Sequence, residues 1–229
     1  MPETDPQIRD LLQSSQPLFI TFEGGEGVGK STQIRMLQQR LIQNGFHDRL
    51  IMTREPGGCD NALVLRKLLV EGDGDRWDGL SESLLYSAAR NEHLREVIRP
   101  ELANGRWVIC DRFADSTTVY QGEGRGMSYD VLEYMHNLVV QDTWPNLTFI
   151  MDMEVGDGLY RARGRQENMF ENRFESLADS FHERVRQGFL KIAKRNPGRC
   201  RVVSAKGTEE EVHERIFNTL LAYIQEKAA

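Results

Sequence analysis

The strongest chemical signal lies near the start of the chain, where Gly24-Gly25-Glu26-Gly27-Val28-Gly29-Lys30-Ser31 fits GxxxxGK[ST]. Glycines let a backbone wrap closely around phosphate and aim its N–H groups at the oxygens. A helix opening directly after the loop adds the partial positive charge of its N-terminus. In such a loop the lysine reaches the β- and γ-phosphates, and the hydroxyl of the next residue ligates Mg²⁺. Lys30 and Ser31 therefore point to a nucleoside triphosphate with its metal, and Thr32 is expected in the same site. The alternative is a glycine-rich turn with an accidental Lys-Ser. A preceding strand and a following helix would exclude it. The motif does not name the phosphoryl acceptor.

Lys30 is the loop's only cation, and phosphoryl transfer usually recruits another. Tyr160-Arg161-Ala162-Arg163-Gly164-Arg165 places three arginines within five residues, and Arg173 follows. Read alone, this is a solvated basic helix face. Beside a loop without arginine, it reads as a lid whose arginines close over the phosphates. Asp111-Arg112-Phe113 follows a short apolar run at 107–110. A carboxylate at the carboxyl end of a parallel strand lies on the edge where open α/β sheets bind ligands. Arg112 beside it can grip an anionic acceptor in bidentate fashion. A structural ion pair between the two is the alternative reading.

The elements that must position these groups follow from periodicity. Apolar runs at 18–22, 50–53, 107–110, 147–151 and 201–203 read as buried strands. Helical spacing covers 31–44, 62–70, 82–103, 129–141, 174–195 and 209–226. Alternation of this kind implies right-handed crossovers and a parallel sheet covered on both faces. The expected fold is α/β: a three-layer, doubly wound, five-stranded parallel sheet of the P-loop NTP hydrolase type, with a helical lid at about 156–173. Residues 17–229 form one domain in this reading. Residues 1–16 form a loose extension with one helical turn around 8–12.

Composition narrows the class. With 29 Lys and Arg against 35 Asp and Glu, the formal charge is −6, which argues against a nucleic-acid partner. Cys59, Cys110 and Cys200 are odd in number and widely spaced, so neither a disulfide framework nor a zinc site is expected. The acidic, proline-containing start is unlike a signal peptide, and no apolar run approaches the ~18 residues of a membrane span. A cytoplasmic setting is expected.

Several segments, in order, resemble the thymidylate kinases, which are P-loop nucleoside monophosphate kinases. They are Phe22-Glu23-Gly24 before the loop, Thr53-Arg54-Glu55-Pro56-Gly57-Gly58, Tyr86-Ser87-Ala88-Ala89-Arg90, and Asp111 through Gly122 with its Ser116-Thr117 and Tyr120-Gln121. The resemblance spans about residues 17–225 and includes the arginine-rich lid. It implies transfer of the ATP γ-phosphoryl group to dTMP with Mg²⁺, on the route to dTTP, by a homodimer. Lys30, Arg112 and lid residues Arg161, Arg163 and Arg165 would serve the transition state. Ser31 and Asp111 would hold the metal. The ATP side would comprise Gly24, Gly25, Glu26, Gly27, Val28, Gly29, Lys30, Ser31, Thr32 and, in the adenine-side loop, Ala205.

On the acceptor side the resemblance implies that Arg54 and Arg112 hold the dTMP phosphate and that Tyr86 stacks on the thymine, where the family usually has Phe. Arg90, one helical turn on, would donate to a thymine carbonyl. Thr117 would sit near the base edge, with Ser116 and Gln121 in the same site. Tyr120 would pack against the deoxyribose, and Glu26 would lie near the sugar and Mg²⁺. Cys59 and the sequence Glu171-Asn172-Arg173-Phe174-Glu175 at the lid's end depart from the family pattern. Adenylate kinases usually carry a loop proline that this chain lacks. A deoxynucleoside kinase would need a base such as Asp111 or Glu23. A nucleotide-dependent switch is the remaining alternative, although no NKxD guanine-reading motif is present.

Overall fold

The structure is a computed structural model that describes residues 6–71, 76–163 and 178–228. Five strands, β1 Phe19–Glu23, β2 Leu50–Arg54, β3 Trp107–Asp111, β4 Leu147–Asp152 and β5 Cys200–Ser204, form one sheet in the order β2-β3-β1-β4-β5. Every neighbouring pair is parallel. All carboxyl ends therefore meet at one edge, where Glu23, Arg54, Asp111 and Asp152 finish their strands.

Helices cover both faces, as the alternation predicts. In chain order they are α1 Pro6–Ser14, α2 Lys30–Gln43, α3 Asp60–Val70, α4 Gly79–His93, α5 Arg99–Ala103, α6 Ala114–Thr117, α7 Tyr129–Val139, α8 Val155–Arg163, α9 Asp179–Arg195 and α10 Glu209–Ala228. On one face Ile20, Phe22 and Phe149 pack with Leu37 and Leu41 of α2 and Ile216, Phe217 and Leu220 of α10. On the other, Phe19, Val108 and Cys110 meet Leu94, Ile98 and Phe113, and Ile150 meets Val185 and Phe189 of α9. The period-2 alternation of β1 explains this division. At its centre the fully buried hydroxyls of Thr21 and Thr148 satisfy each other at 2.8 Å.

Two expectations change, and one unassigned stretch is helical. The 82–103 helix starts at Gly79, because Asp78 caps the Ser81 N–H at 2.8 Å, and it widens into a π-helical segment, Leu94–Ile98, before α5. The stretch after β3 is also helical, α6 running on into a second π-helical segment, Thr118–Gly124. The N-terminal stretch is not loose where it is described. It forms the nine-residue α1, whose Leu12 is fully buried among Leu41, Phe46 and Ile216. Arg49 closes its end by donating to the Gln13 and Ser15 carbonyls at 3.0 and 3.3 Å. A helix this short is unstable alone. The apolar spacing Ile8, Leu11, Leu12 lets tertiary packing hold it.

Candidate active site

β1 delivers the chain into the phosphate loop and α2 takes it out, so the context required of the motif is present. Gly27 lies at φ 69°, and a Cβ there would collide with the Gly158 carbonyl of α8. The loop and the base of α8 thus touch backbone to backbone, which only small residues allow. Lys30 is buried, and its Nζ donates to the Gly24 and Gly25 carbonyls at 3.1 and 2.8 Å. Burial, then the neighbouring Arg112 charge, lower its pKa from 10.5 to about 8. Ser31 Oγ donates to Asp111 Oδ2 at 2.8 Å.

An open cleft of about 780 Å³ runs beside the loop. Gly27, Val28, Gly29, Thr32, Arg161 and Ala205 line it, which places much of the expected ATP side together. Tyr160 also lines this cleft and went unassigned in the sequence reading. Its signal was its place beside Arg161. Arg165 lies outside the described residues, as do 164–173 of the expected lid and residues 174–177 of the helix read there. Arg163 ends α8, and its side chain is likewise outside them.

β3 supplies the second cation. Arg112 follows the strand in the left-handed region, φ 69°, which is uncommon for a side chain of this size. It does not pair with Asp111. Its Nη1 donates to the Gly24 carbonyl at 3.0 Å and to Ser116 Oγ at 3.2 Å, and its Nη2 to Glu26 Oε1 at 2.8 Å. Tyr120 donates to the same Glu26 oxygen at 2.7 Å, with its ring 5.2 Å beneath the guanidinium. Burial would raise the Glu26 carboxyl. Arg112, then Lys30, overcome this and hold it near 2.

α4 supplies the third cation. Arg90 is buried, donating through Nε to Glu55 Oε2 at 2.8 Å and through Nη2 to Thr117 Oγ1 at 3.0 Å. Its Nη1 is buried with no hydrogen bond among the described residues. The same holds for both amide atoms of the fully buried Gln121. Tyr86 lies one turn before Arg90 and is half-buried. Arg54 is exposed at the end of β2. Glu55 is the partner the sequence reading missed. The period-2 alternation of β2 carries the signal, since it turns Thr53 and Glu55 away from the side Arg54 faces.

Beneath Arg112, fully buried Glu23 accepts from the Phe113 N–H at 2.8 Å and from Ser116 Oγ at 2.5 Å. Burial, then the nearby Asp115 charge, push its carboxyl from 4.5 up to about 8. The folded chain therefore binds more protons than the unfolded chain between these values. Glu23's contribution to stability is complete below about 4.5 and is lost as pH rises through about 8. Glu23→Gln is expected to flatten the fall of the thermal midpoint across that window. An unchanged slope in scanning calorimetry would assign the fall to other groups.

The site can thus hold two anionic groups near one loop, one facing Lys30 and one facing Arg112. The thymidylate kinase family profile matches residues 22–216. A thymidylate kinase of Magnetococcus marinus is 50% identical over 190 residues, covering 83% of this chain and 89% of that protein. One from Caulobacter vibrioides is 48% identical over 207 residues, covering 90% and 97% respectively. The crystal structure of thymidylate kinase from Ehrlichia chaffeensis superposes with a TM-score of 0.74 at 35% identity, covering 90% of this chain and 99% of that one. Similarity this long, on this sheet, settles the kinship: the chain belongs to the thymidylate kinase family.

Proposed function

We propose that the chain moves the γ-phosphoryl group of ATP onto the phosphate of dTMP, giving dTDP and ADP on the route to dTTP. The observation that carries the residue roles is the convergence of two cations on one carbonyl. Lys30 and Arg112 both donate to the Gly24 oxygen, at 3.1 and 3.0 Å. Lys30 serves the donor phosphates and Arg112, with Arg54, the acceptor phosphate. The γ-phosphoryl group then travels only between neighbouring cations. A phosphate monoester has a second pKa near 6, so the nucleophilic oxygen is already anionic at neutral pH and needs no base. Catalysis is positioning plus electrostatics. Arg161 closes from the cleft wall, with Arg163 and Arg165 as the remaining lid candidates. The exposed Tyr160 ring offers the adenine a stacking face.

On the acceptor side Tyr86 stacks on thymine, and Arg90 Nη1 and the Gln121 amide supply polar atoms. Tyr120 holds Glu26 against the sugar, and Thr117 fixes Arg90. Mg²⁺ fits the Ser31–Asp111 pair, which is made of hard oxygen donors. No group of three or more His, Cys, Asp or Glu suited to a metal occurs among the described residues. Mg²⁺ commonly takes few protein ligands, completing its shell with phosphate and water. Ser31 and Asp111 would hold the ion, which would neutralise phosphate charge.

The test is to supply ATP and Mg²⁺ with each nucleoside and nucleoside monophosphate and to follow ADP. Strong preference for dTMP is expected, and acceptor-independent ADP release would overturn the assignment.

A homodimer is supported by exposed apolar side chains on three packed helices. α3 packs on α4 and α4 on α7, yet Val64, Leu80, Leu84, Val131, Tyr134 and Leu138 remain exposed on these three helices. Large apolar side chains left exposed on neighbouring helices favour a partner surface. Sedimentation equilibrium is expected to give the mass of two chains, and Val64→Glu with Tyr134→Glu to give one. A monomeric parent chain would sink this reading.

A further inference from the structure

Behind Arg90 lies a buried polar chain that the reaction itself does not use. Glu55 accepts from Arg90 with one oxygen, and its other, Oε1, faces His93 Nδ1 at 3.1 Å. The far ring nitrogen, Nε2, is 2.7 Å from Thr53 Oγ1. His93 is fully buried, and Glu55 nearly so. The Gly57-Gly58 turn closes directly on the imidazole. Gly58 lies at φ 92°, and a Cβ there would collide with His93 Nε2. Two secondary-structure elements and a tight turn are therefore arranged around one imidazole.

We infer that His93 is a positioning residue that sets the aim of Arg90 by locking the Glu55 carboxylate. The inference rests on the proposed role of Arg90 as reader of the acceptor base. An ionised carboxylate only accepts, so hydrogen-bond logic puts the proton on Nδ1 and leaves Nε2 facing the Thr53 hydroxyl. A carboxylate held at one oxygen can still rotate about its terminal bond. Held at both, its plane is fixed. The guanidinium is rigid and planar, so fixing its Nε and Nη2 partners dictates where Nη1 points. Arg90 and His93 are three residues apart on α4, one face of the same helix, so one element sets both ends of the chain.

The consequence is specificity. A guanidinium only donates. A well-aimed Nη1 accepts a pyrimidine whose 4-position bears a carbonyl and rejects one bearing an amino group. With His93 removed, Glu55 is free to turn, and Arg90 follows it off that line. Selectivity between dTMP and dCMP should then fall, while the ATP side, built on α2 and the phosphate loop, is untouched.

The test compares steady-state kinetics of four single variants. His93→Leu is expected to raise KM for dTMP about tenfold, the size of one misaligned hydrogen bond to a charged group. The ratio of kcat/KM for dTMP over dCMP should fall by about the same factor, with KM for ATP unchanged. His93→Asn keeps a donor where Nδ1 stood and is expected to restore most of the loss, whereas His93→Gln, reaching only towards Thr53, is not. Arg90→Ala should show the same selectivity loss, and the double variant with His93→Leu should be no worse than Arg90→Ala alone. If KM for both nucleotides rises together, if Gln rescues better than Asn, or if the losses multiply in the double variant, His93 does not act through Arg90. Should His93→Leu fail to fold, the Asn and Gln variants decide the question. The unmodified chain separates the two levels. Lack of dTMP preference there removes the base-reading assignment itself, while normal preference with unaffected His93 variants removes only the present inference.

Discussion

Lys30→Ala is expected to slow phosphoryl transfer by about 10³-fold, the scale of removing a preorganised charged donor from a developing charge. dTMP binding should remain measurable. Lys30 is held inside the loop by two carbonyls, those of Gly24 and Gly25, against the repulsion of the neighbouring Arg112. The same burial that holds it disfavours its charge, which is why its pKa falls to about 8. Triphosphate oxygens favour the charged form, so donor binding near that pH should draw in a proton. Affinity for ATP is therefore expected to weaken as pH rises through about 8 in the parent chain and to lose this dependence in the Ala variant. Single-turnover rates and calorimetry in two buffers of different ionisation enthalpy measure both effects. Near-normal turnover would remove the phosphate-loop assignment, and a pH dependence that survives in the variant would assign it to another group.

The sequence was informative where chemistry and chain order coincide. The phosphate loop is contiguous, and its strand and helix flank it directly, so periodicity and motif confirmed each other. Arg112 could be placed because it follows a strand. Its partner could not. Glu26 lies 86 residues away in sequence, and only the β1–β3 pairing brings it within 2.8 Å. Adjacency was misleading here, since Asp111 turned to Ser31 and left Arg112 to the loop. The role proposed for Arg90 came from the family resemblance of the Tyr86–Arg90 segment. Its support was not legible, because Glu55 comes from the end of β2 and His93 from the far end of α4. α1 was expected only as one turn in a loose extension, for a related reason. Its helicity comes from Leu12 reaching a core built by α2 and α10. Local propensity carries no record of such packing.

Arg112→Lys is expected to lower kcat/KM for dTMP by about 10²–10³-fold, although the charge is kept. Two guanidinium nitrogens serve three acceptors at once: the Gly24 carbonyl, Ser116 and Glu26. An ammonium is a single point on a flexible stem and cannot span that fork. The left-handed backbone at Arg112 shows that the turn is held to this arrangement at a cost. Arg112→Ala goes further, since it leaves the half-buried Glu26 without its chief opposing charge. The Glu26 carboxyl, held near 2 in the parent chain, should then rise. The sign is definite. A carboxyl whose folded pKa lies below its unfolded 4.5 contributes stability above that pH and loses it as pH falls towards 2. The Ala variant should lack this contribution, so its acid-unfolding midpoint moves to higher pH, while the Lys variant keeps most of it. Activity and acid stability thus separate geometry from charge. If Lys restores both, Arg112 acts as a simple cation. If it restores stability but not turnover, the planar fork itself aligns the acceptor phosphate.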